Sequence, residues 1–466
     1  MSLIPTDSPT PYDGTALIAD PIHGYITFTV PYAASPQNEQ TEKDLIDSPW
    51  LQRLRHIYQL QSAHWVYPSA EHSRFQHSLG AMHLAGRFAT HLYPSLAKHV
   101  LHLPSVYYVE ELLRVTALVH DIGHGPFCHF FDHHFLHQFG LTHEHLGQVI
   151  IKEHLGGLIR GITRSPSGSF APGEQLDPDH IAFLILKDPY KNTDRIPPWL
   201  RFLQPIIGGV YTADNFDYVQ RDSYMCGVAI GPVDIDRLIH YSLITPKGFT
   251  IHQAGLPALQ MFLNARLYLY TNVYYHRTTR AIDLHLQDIF PQTMTYLFPY
   301  HPLDHLRDYL YLTDWSLMET VRRWPTGRDP IKKQLGREWA RILGRDIHWK
   351  TAFSTMIPLE RSTGYHRSLR IQTLESRIRR ALPQSLKHLG FRIDMAHQDP
   401  RPINVLNMGG VQLFVYDPAT KKTTKESLKK IFDYLPARMV QLRIFTRHHQ
   451  ADQILATVVE KILSTM

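Results

Sequence analysis

One stretch limits the architecture of this chain more than any other: Val119-His120-Asp121-Ile122-Gly123-His124-Gly125-Pro126-Phe127. Leu112, Val115, Leu118 and Val119 recur at helical spacing just before it, so an apolar helix delivers an adjacent imidazole and carboxylate. Two glycines and a proline then stop that helix. A His-Asp pair at the buried end of such a helix is costly unless both groups are hydrogen-bonded or bind a metal. Imidazole nitrogen with carboxylate oxygen suits Fe, Mn, Zn, Mg or Co better than a thiolate-type structural zinc. A hydrogen-bonded His-Asp pair that merely closes the helix is the competing reading.

Helical periodicity dominates from Asp47 to about residue 324. Ser48-Pro49 supplies an N-cap and a first-turn proline, and Leu84, Phe88 and Leu92 form another apolar row. The chain therefore divides into an N-terminal arm with a short hairpin (1–45), a helical body (46–324) and a C-terminal α+β subdomain (325–466). Alternation in Asp20–Val30 predicts the hairpin, and Arg164–Gly173 reads as a flexible surface loop. Val411–Tyr416 and Val440–Phe445 read as strands, and Ala451–Leu463 as an amphipathic helix. With 43% hydrophobic and 19% charged residues the chain is too apolar for disorder. No apolar run approaches the ~20 residues of a membrane helix. Met1-Ser2-Leu3-Ile4-Pro5-Thr6-Asp7 has no secretory character, and Cys128 and Cys226 cannot make a disulfide scaffold. The expectation is a soluble, cytoplasmic protein without a membrane partner.

The chain has 31 histidines against 48 Lys+Arg and 42 Asp+Glu, a formal charge of +6 with the imidazoles neutral. A metal centre uses only a handful of these, so most are surface or core filler. Two segments pair with the His-Asp stretch. Upstream, Glu71–Gly80 puts His77 at the head of a helix. Downstream, Asp214, Tyr218 and Asp222 fall on one helical face, with apolar Phe216 and Val219 on others.

His77, His120-Asp121 and Asp214, in that order, resemble the H…HD…D ligand set of the HD-domain metal phosphohydrolases. The surrounding phrases look like the deoxynucleoside triphosphate triphosphohydrolase branch of that superfamily. They are Asp20–Gly24, Gln52–Arg55, Arg74–Gly80, His120–Phe127 and Asp217–Asp222. The likeness runs from about residue 16 to the C-terminus. It implies a mainly α fold, an HD-domain helical core with the small C-terminal α+β subdomain, and makes 46–324 the catalytic domain. It also implies a divalent metal held by His77, His120, Asp121 and Asp214. His129 with its partner Asp132 would be catalytic, His124 would contact phosphate, and His143 would protonate the leaving oxygen. Arg74 and Arg266 match phosphate-binding arginines. Gln59, Tyr218 and Asp222 match readers of the sugar 3′-hydroxyl, while Leu60 and Tyr274 match residues that crowd out a 2′-hydroxyl. Arg266, Tyr270 and Tyr274 recur at i, i+4, i+8, which agrees with a shared helical face.

The chain also departs from the family. A lysine after the fourth ligand is Asn215, a histidine on the substrate helix is Tyr270, and a glutamine beside Tyr274 is Tyr275. Fewer cations near the phosphates leave open removal of phosphates one at a time. Asp47, Gln52 and Arg55 match part of the family's guanine-nucleotide activator site. Its other polar positions fall on Ala16, Ala19, His252, Ala254 and Ala258, so two-nucleotide activation is expected to be absent or weakened. The implied partners are a deoxynucleotide substrate and further copies of the chain, as a dimer or tetramer. The cluster Lys421, Lys422, Lys425, Lys429 and Lys430 keeps open a different class, a nucleic-acid-binding protein with a vestigial site.

Overall fold

The computed structural model describes residues 12–186, 196–358, 370–398, 413–424 and 439–465. The predicted hairpin forms from β1 (Thr15–Asp20) and β2 (Gly24–Thr29), paired antiparallel. Asp20 Oδ1 closes its turn by accepting the N–H groups of Ile22 and His23 at 2.9 and 3.0 Å. A short helix, α1 (Pro49–Arg53), starts where Ser48-Pro49 predicts, with Ser48 Oγ accepting the Leu51 N–H.

Two long helices form the centre of the body: α2 (Arg74–Ala97) and α3 (Val106–Val119), packed along each other. Both apolar rows named above are buried, and each such side chain contributes on the order of 2 kcal/mol. Around this pair lie α4 (His129–His134), α5 (His143–Val149), α6 (Ala213–Cys226), α7 (Leu256–Leu269) and α8 (Arg277–Leu297). Next come α9 (Asp314–Arg323) and α10 (Pro330–Leu343). The fold is mainly α, with small sheets at its edges.

Two sheets complete it. In chain order the strands are β3 (Ser242–Thr245), β4 (Gly248–His252), β5 (Lys350–Pro358), β6 (Phe391–Gln398), β7 (Phe414–Asp417), β8 (Lys422–Thr424) and β9 (Met439–Thr446). One sheet has the order β8-β7-β4-β3, with β7 parallel to β4. The other is antiparallel, β5-β9-β6, with a bulge between Ile444 and Phe445. The final helix, α11 (Asp452–Leu463), packs against β5.

Several expectations change on contact with the structure. Segment 164–173 contains a tight two-residue hairpin, not a flexible loop. Arg164 anchors it, donating to the carbonyls of Gly14 and Val30 at 2.7 Å each. The helical body also contains the β3-β4 hairpin, and β7 extends that sheet instead of joining the C-terminal one. Leu335, Trp339 and Ile342 of α10 are buried in the larger core, which runs on to Trp349. A second, smaller core begins at Phe353. A division at 324/325 therefore separates α10 from the core that its apolar face enters. Residues 1–11, Val411, Gln412, Lys425, Lys429 and Lys430 lie outside the described residues.

Close helix packing explains one glycine. A Cβ on Gly80 of α2 would lie 1.8 Å from Asp217 Oδ1 and 2.5 Å from Arg221 Nη2 on α6. Gly80→Ala is therefore expected to cost about 2 kcal/mol or more of stability, read as a lower urea midpoint.

Candidate metal centre and adjoining cavity

His77 on α2, His120 and Asp121 at the end of α3, and Asp214 in the first turn of α6 converge. His77 Nε2 lies 3.1 Å from Asp214 Oδ1 and 3.8 Å from Asp121 Oδ2. His120 Nε2 lies 3.4 Å from Asp121 Oδ1 and 3.8 Å from Asp214 Oδ1. The opposite nitrogens are both occupied. His77 Nδ1 donates to Asp217 Oδ2 at 2.8 Å, and His120 Nδ1 to the Ala117 carbonyl at 2.7 Å. These bonds make Nδ1 the donor and turn each Nε2 toward the carboxylates, where a bound cation would take the place of a proton, the arrangement that metal-binding histidines need. Burial works against charge on His77, but the Asp214 and Asp217 carboxylates outweigh it and lift its pKa to about 10. The centre demands a positive charge, and the donor set fits a divalent cation.

Asp217 extends the support. It is fully buried, accepts His23 Nε2 at 2.7 Å and takes both Arg221 Nε and Nη2 at 2.8 Å. Arg221 also donates to Asp20 at 2.8 Å, so the hairpin turn is tied to α6 through the same group. Asn215, where the resembling family has lysine, donates its amide to Asp214 at 3.3 Å.

A second cluster adjoins the first. His124 is fully buried, its ring stacked on His143 at 3.7 Å and edge-on to His129 at 4.9 Å. Its Nε2 stands 3.3 Å from Asp121 Oδ1. Burial, then the Arg74 and His143 charges, hold the His124 pKa well below its ordinary value, so it is neutral. Asp132 bonds His143 Nδ1 and lies 3.6 Å from His129 Nδ1. Burial would raise the Asp132 carboxyl, but His129 and His143 hold it well below the usual range. Sequence spacing assigns Asp132 to His129 alone; the structure gives it two imidazoles. Helix α5 comes close enough to do this because Gly123 lacks a Cβ, which would meet the His143 carbonyl at 2.0 Å.

A cavity of about 760 Å³ meets both clusters at Arg74 and His129 on its wall. Arg74 is buried, pairs with Asp121 and donates from Nε to Cys128 Sγ at 2.8 Å. Gln59, Leu60, Tyr218, Asp222, Tyr270 and Tyr274 also line the cavity. Asp222 bonds His72 Nε2 at 2.8 Å and Tyr274 Oη at 2.6 Å. Gln59 Oε1 is buried without a partner among the described residues. Arg266 is not on the cavity wall; its guanidinium faces the Tyr270 ring at 5.8 Å. Residues 270–274 form a π-helical turn, which changes the expected i, i+4, i+8 face beyond Arg266. Away from the cavity, Gln52 bonds the Ile46 carbonyl and Arg55 bonds Gln52, each at 2.7 Å.

Sequence reasoning missed His23, His72, Asp217 and Asp314. The first three stand inside or beside phrases already singled out, but nothing in spacing says what they face. Asp314 opens α9 and accepts the N–H groups of Tyr58 (2.9 Å) and Phe127 (2.8 Å). Phe127 and Cys128 both have positive φ, +59° and +53°, so this bond holds a strained turn beside His129. Burial pushes the Asp314 carboxyl up to about 7 against the pull of those two N–H groups.

Fold and centre together show an HD domain and support a metal-dependent phosphohydrolase. The HD domain family matches residues 74–176, a span that holds His77, His120 and Asp121. The uncharacterized protein YwfO of Bacillus subtilis is 28% identical over 361 residues, 74% of this chain and 73% of its own length. The deoxynucleoside triphosphate triphosphohydrolase SAMHD1 homolog of Dictyostelium discoideum is 26% identical over 318 residues. That match takes in 66% of this chain and 56% of the relative. The fold is shared with a hypothetical protein from Aquifex aeolicus, with a TM-score of 0.68 at 24% identity over 96% of this chain and all of that one. Among the described residues no helix is long and apolar enough to cross a membrane.

Two outcomes follow from the supporting groups. Asp217→Asn is expected to lower metal affinity about 10–100-fold, measured as metal retained after dialysis against a weak chelator. Because the folded Asp314 pKa lies above the unfolded one, this group favours the folded state below about pH 4 and loses that contribution as pH rises to about 7. Relative to Asp314→Asn, the wild-type unfolding free energy should therefore decline across that interval, by at most about 1.4 kcal/mol per pH unit.

Proposed function

We propose that this protein hydrolyses a deoxynucleoside triphosphate to deoxynucleoside and triphosphate. The supporting observation is the meeting of the His-Asp centre and the cavity at Arg74 and His129, which puts hydrolytic groups against a space of nucleotide size. A divalent metal held by His77, His120, Asp121 and Asp214 would polarise the phosphate and lower the pKa of water.

The chain's own groups do the rest. Arg74 presents a planar, permanently charged fork at the phosphate end. Water attacks the α-phosphorus in line and the 5′ oxygen leaves. The resemblance gives protonation of that oxygen to His143, but His129 lines the cavity and His143 does not, so His129 delivers the proton, while Asp132 pairs with His129 and His143 alike. Neutral His124 keeps further positive charge away from Arg74; it can pass a proton on only by releasing one from its second ring nitrogen as it takes one at the first. Asp222 and the unpartnered Gln59 carbonyl address the sugar 3′-hydroxyl, and Leu60 with Tyr274 occupies the space of a 2′-hydroxyl. Assembly into a dimer or tetramer belongs to the same reading.

One observation favours stepwise removal of phosphates instead. Among the described residues the arginines on the cavity wall are Arg74 and Arg280, and Arg280 is bound to Asp394 at 2.6 Å. Product analysis separates the two. Incubation of dATP with the Mn-loaded protein should yield deoxyadenosine and tripolyphosphate in equal amounts; orthophosphate appearing in steps would reject the proposal. His120→Ala should abolish either activity, and dATP turnover should proceed without added GTP.

A further inference from the structure

The cavity has a polar wall that neither the phosphate nor the sugar residues account for. Thr279, Asp283 and Gln287 recur at i, i+4 and i+8 on α8, and all three line the cavity. Thr279 is 4% exposed and its Oγ1 has no hydrogen-bond partner among the described residues. Helical threonines usually satisfy this hydroxyl on the carbonyl one turn back, as Thr293 does on Ile289 at 2.9 Å in the same helix. A buried hydroxyl left unpaired is costly, and Thr279 is on the cavity wall, where a ligand could supply the missing partner.

The next turn carries a carboxyl. Asp283 accepts Ser62 Oγ at 2.5 Å and Arg280 Nη1 at 3.2 Å, which leaves each oxygen a further lone pair. Burial raises its pKa, with the Arg280 charge and the Ser62 hydroxyl opposing. One turn further, Gln287 offers an amide donor and acceptor with no partner among the described residues. Facing this row, Met395 and Ala396 of β6 supply an apolar wall. That strand is held against α8 by the Arg280–Asp394 pair. A row of donors and acceptors with an apolar cover suits a flat heteroaromatic ring that carries hydrogen-bonding groups on its edge.

We infer that Thr279, Asp283 and Gln287 read the edge of the substrate's nucleobase beneath Met395 and Ala396, so that the protein discriminates among bases. This rests on the proposed nucleotide reading, since the base is the part of such a substrate that the residues assigned to the phosphates and the sugar leave unaddressed. The cavity then selects by hydrogen bonding, which separates ligands more sharply than apolar fit does.

The test measures equilibrium binding of deoxyadenosine, deoxyguanosine, deoxycytidine and thymidine to the full-length, Mn-loaded protein. The wild type should spread the four affinities over about tenfold or more, the scale of one well-made hydrogen bond. Gln287→Leu and Thr279→Val should each compress that spread toward about threefold, and Thr279→Ser should restore it. Circular dichroism and metal content identify any variant that fails to fold. Gln287→Leu, with its side chain at the cavity surface, and Thr279→Ser then decide the matter. Equal affinities in the wild type, an unchanged ranking in Gln287→Leu, or no binding of any nucleoside would overturn the inference. A parallel assay with the four triphosphates keeps the two ideas apart. Discrimination among nucleosides without hydrolysis of any triphosphate would sink the enzymatic reading and leave base recognition standing.

Discussion

The buried carboxylate of Asp217 is the contact on which the rest of the centre depends. It holds the Nδ1 proton of His77, the ring of His23 and two nitrogens of Arg221, and so joins α2, α6 and the N-terminal hairpin at one point. A carboxylate taken so far out of water survives only because every lone pair is used by a charged or strongly polar donor. Removing any partner would leave charge in a place with no solvent to receive it. The metal-facing nitrogen of His77 thus inherits its direction from a residue that never touches the metal.

The two imidazole clusters are differently poised. Around His77 and His120 carboxylates are in excess, and the site is short of positive charge. Around His124, His129 and His143 the imidazoles outnumber carboxylates, with Asp132 serving two of them. Asp121 lies between, facing His77, His120, His124 and Arg74. In the proposed reading, a cation held on one side and proton exchange on the other would be compatible because this single carboxylate separates them, and because His124 stays neutral beside Arg74.

The His-Asp stretch was legible because its chemistry is local: an apolar helix, two ionisable groups and a forced stop. His77 and Asp214 were legible only through resemblance, since residues that far apart in the chain carry no mutual spacing signal. Asp217 was visible as part of a phrase but its role was not, because the cue lies in Gly80, one helix away. Asp314 left no trace at all in the sequence, where it looks like an ordinary acidic first-turn residue. The helices were read well from period and caps. The β3-β4 hairpin was not, since its short strands show little alternation, and β7 was read as a strand without its parallel partner β4, because that pairing spans more than 150 residues. The same limit applies to α10, whose amphipathic face is plain but whose choice of core is a tertiary matter.

Asp314 ties the backbone of Tyr58, next to Gln59 and Leu60, to that of Phe127, two residues before His129. In the proposed reading, the segment that would gauge a sugar and the segment that would handle a leaving group therefore hang from one peg. Neither can drift without dragging the other, so a ligand that settles badly in one half disturbs the alignment of the second. Fidelity in such a cleft comes less from any individual contact than from the stiffness of the yoke between its halves.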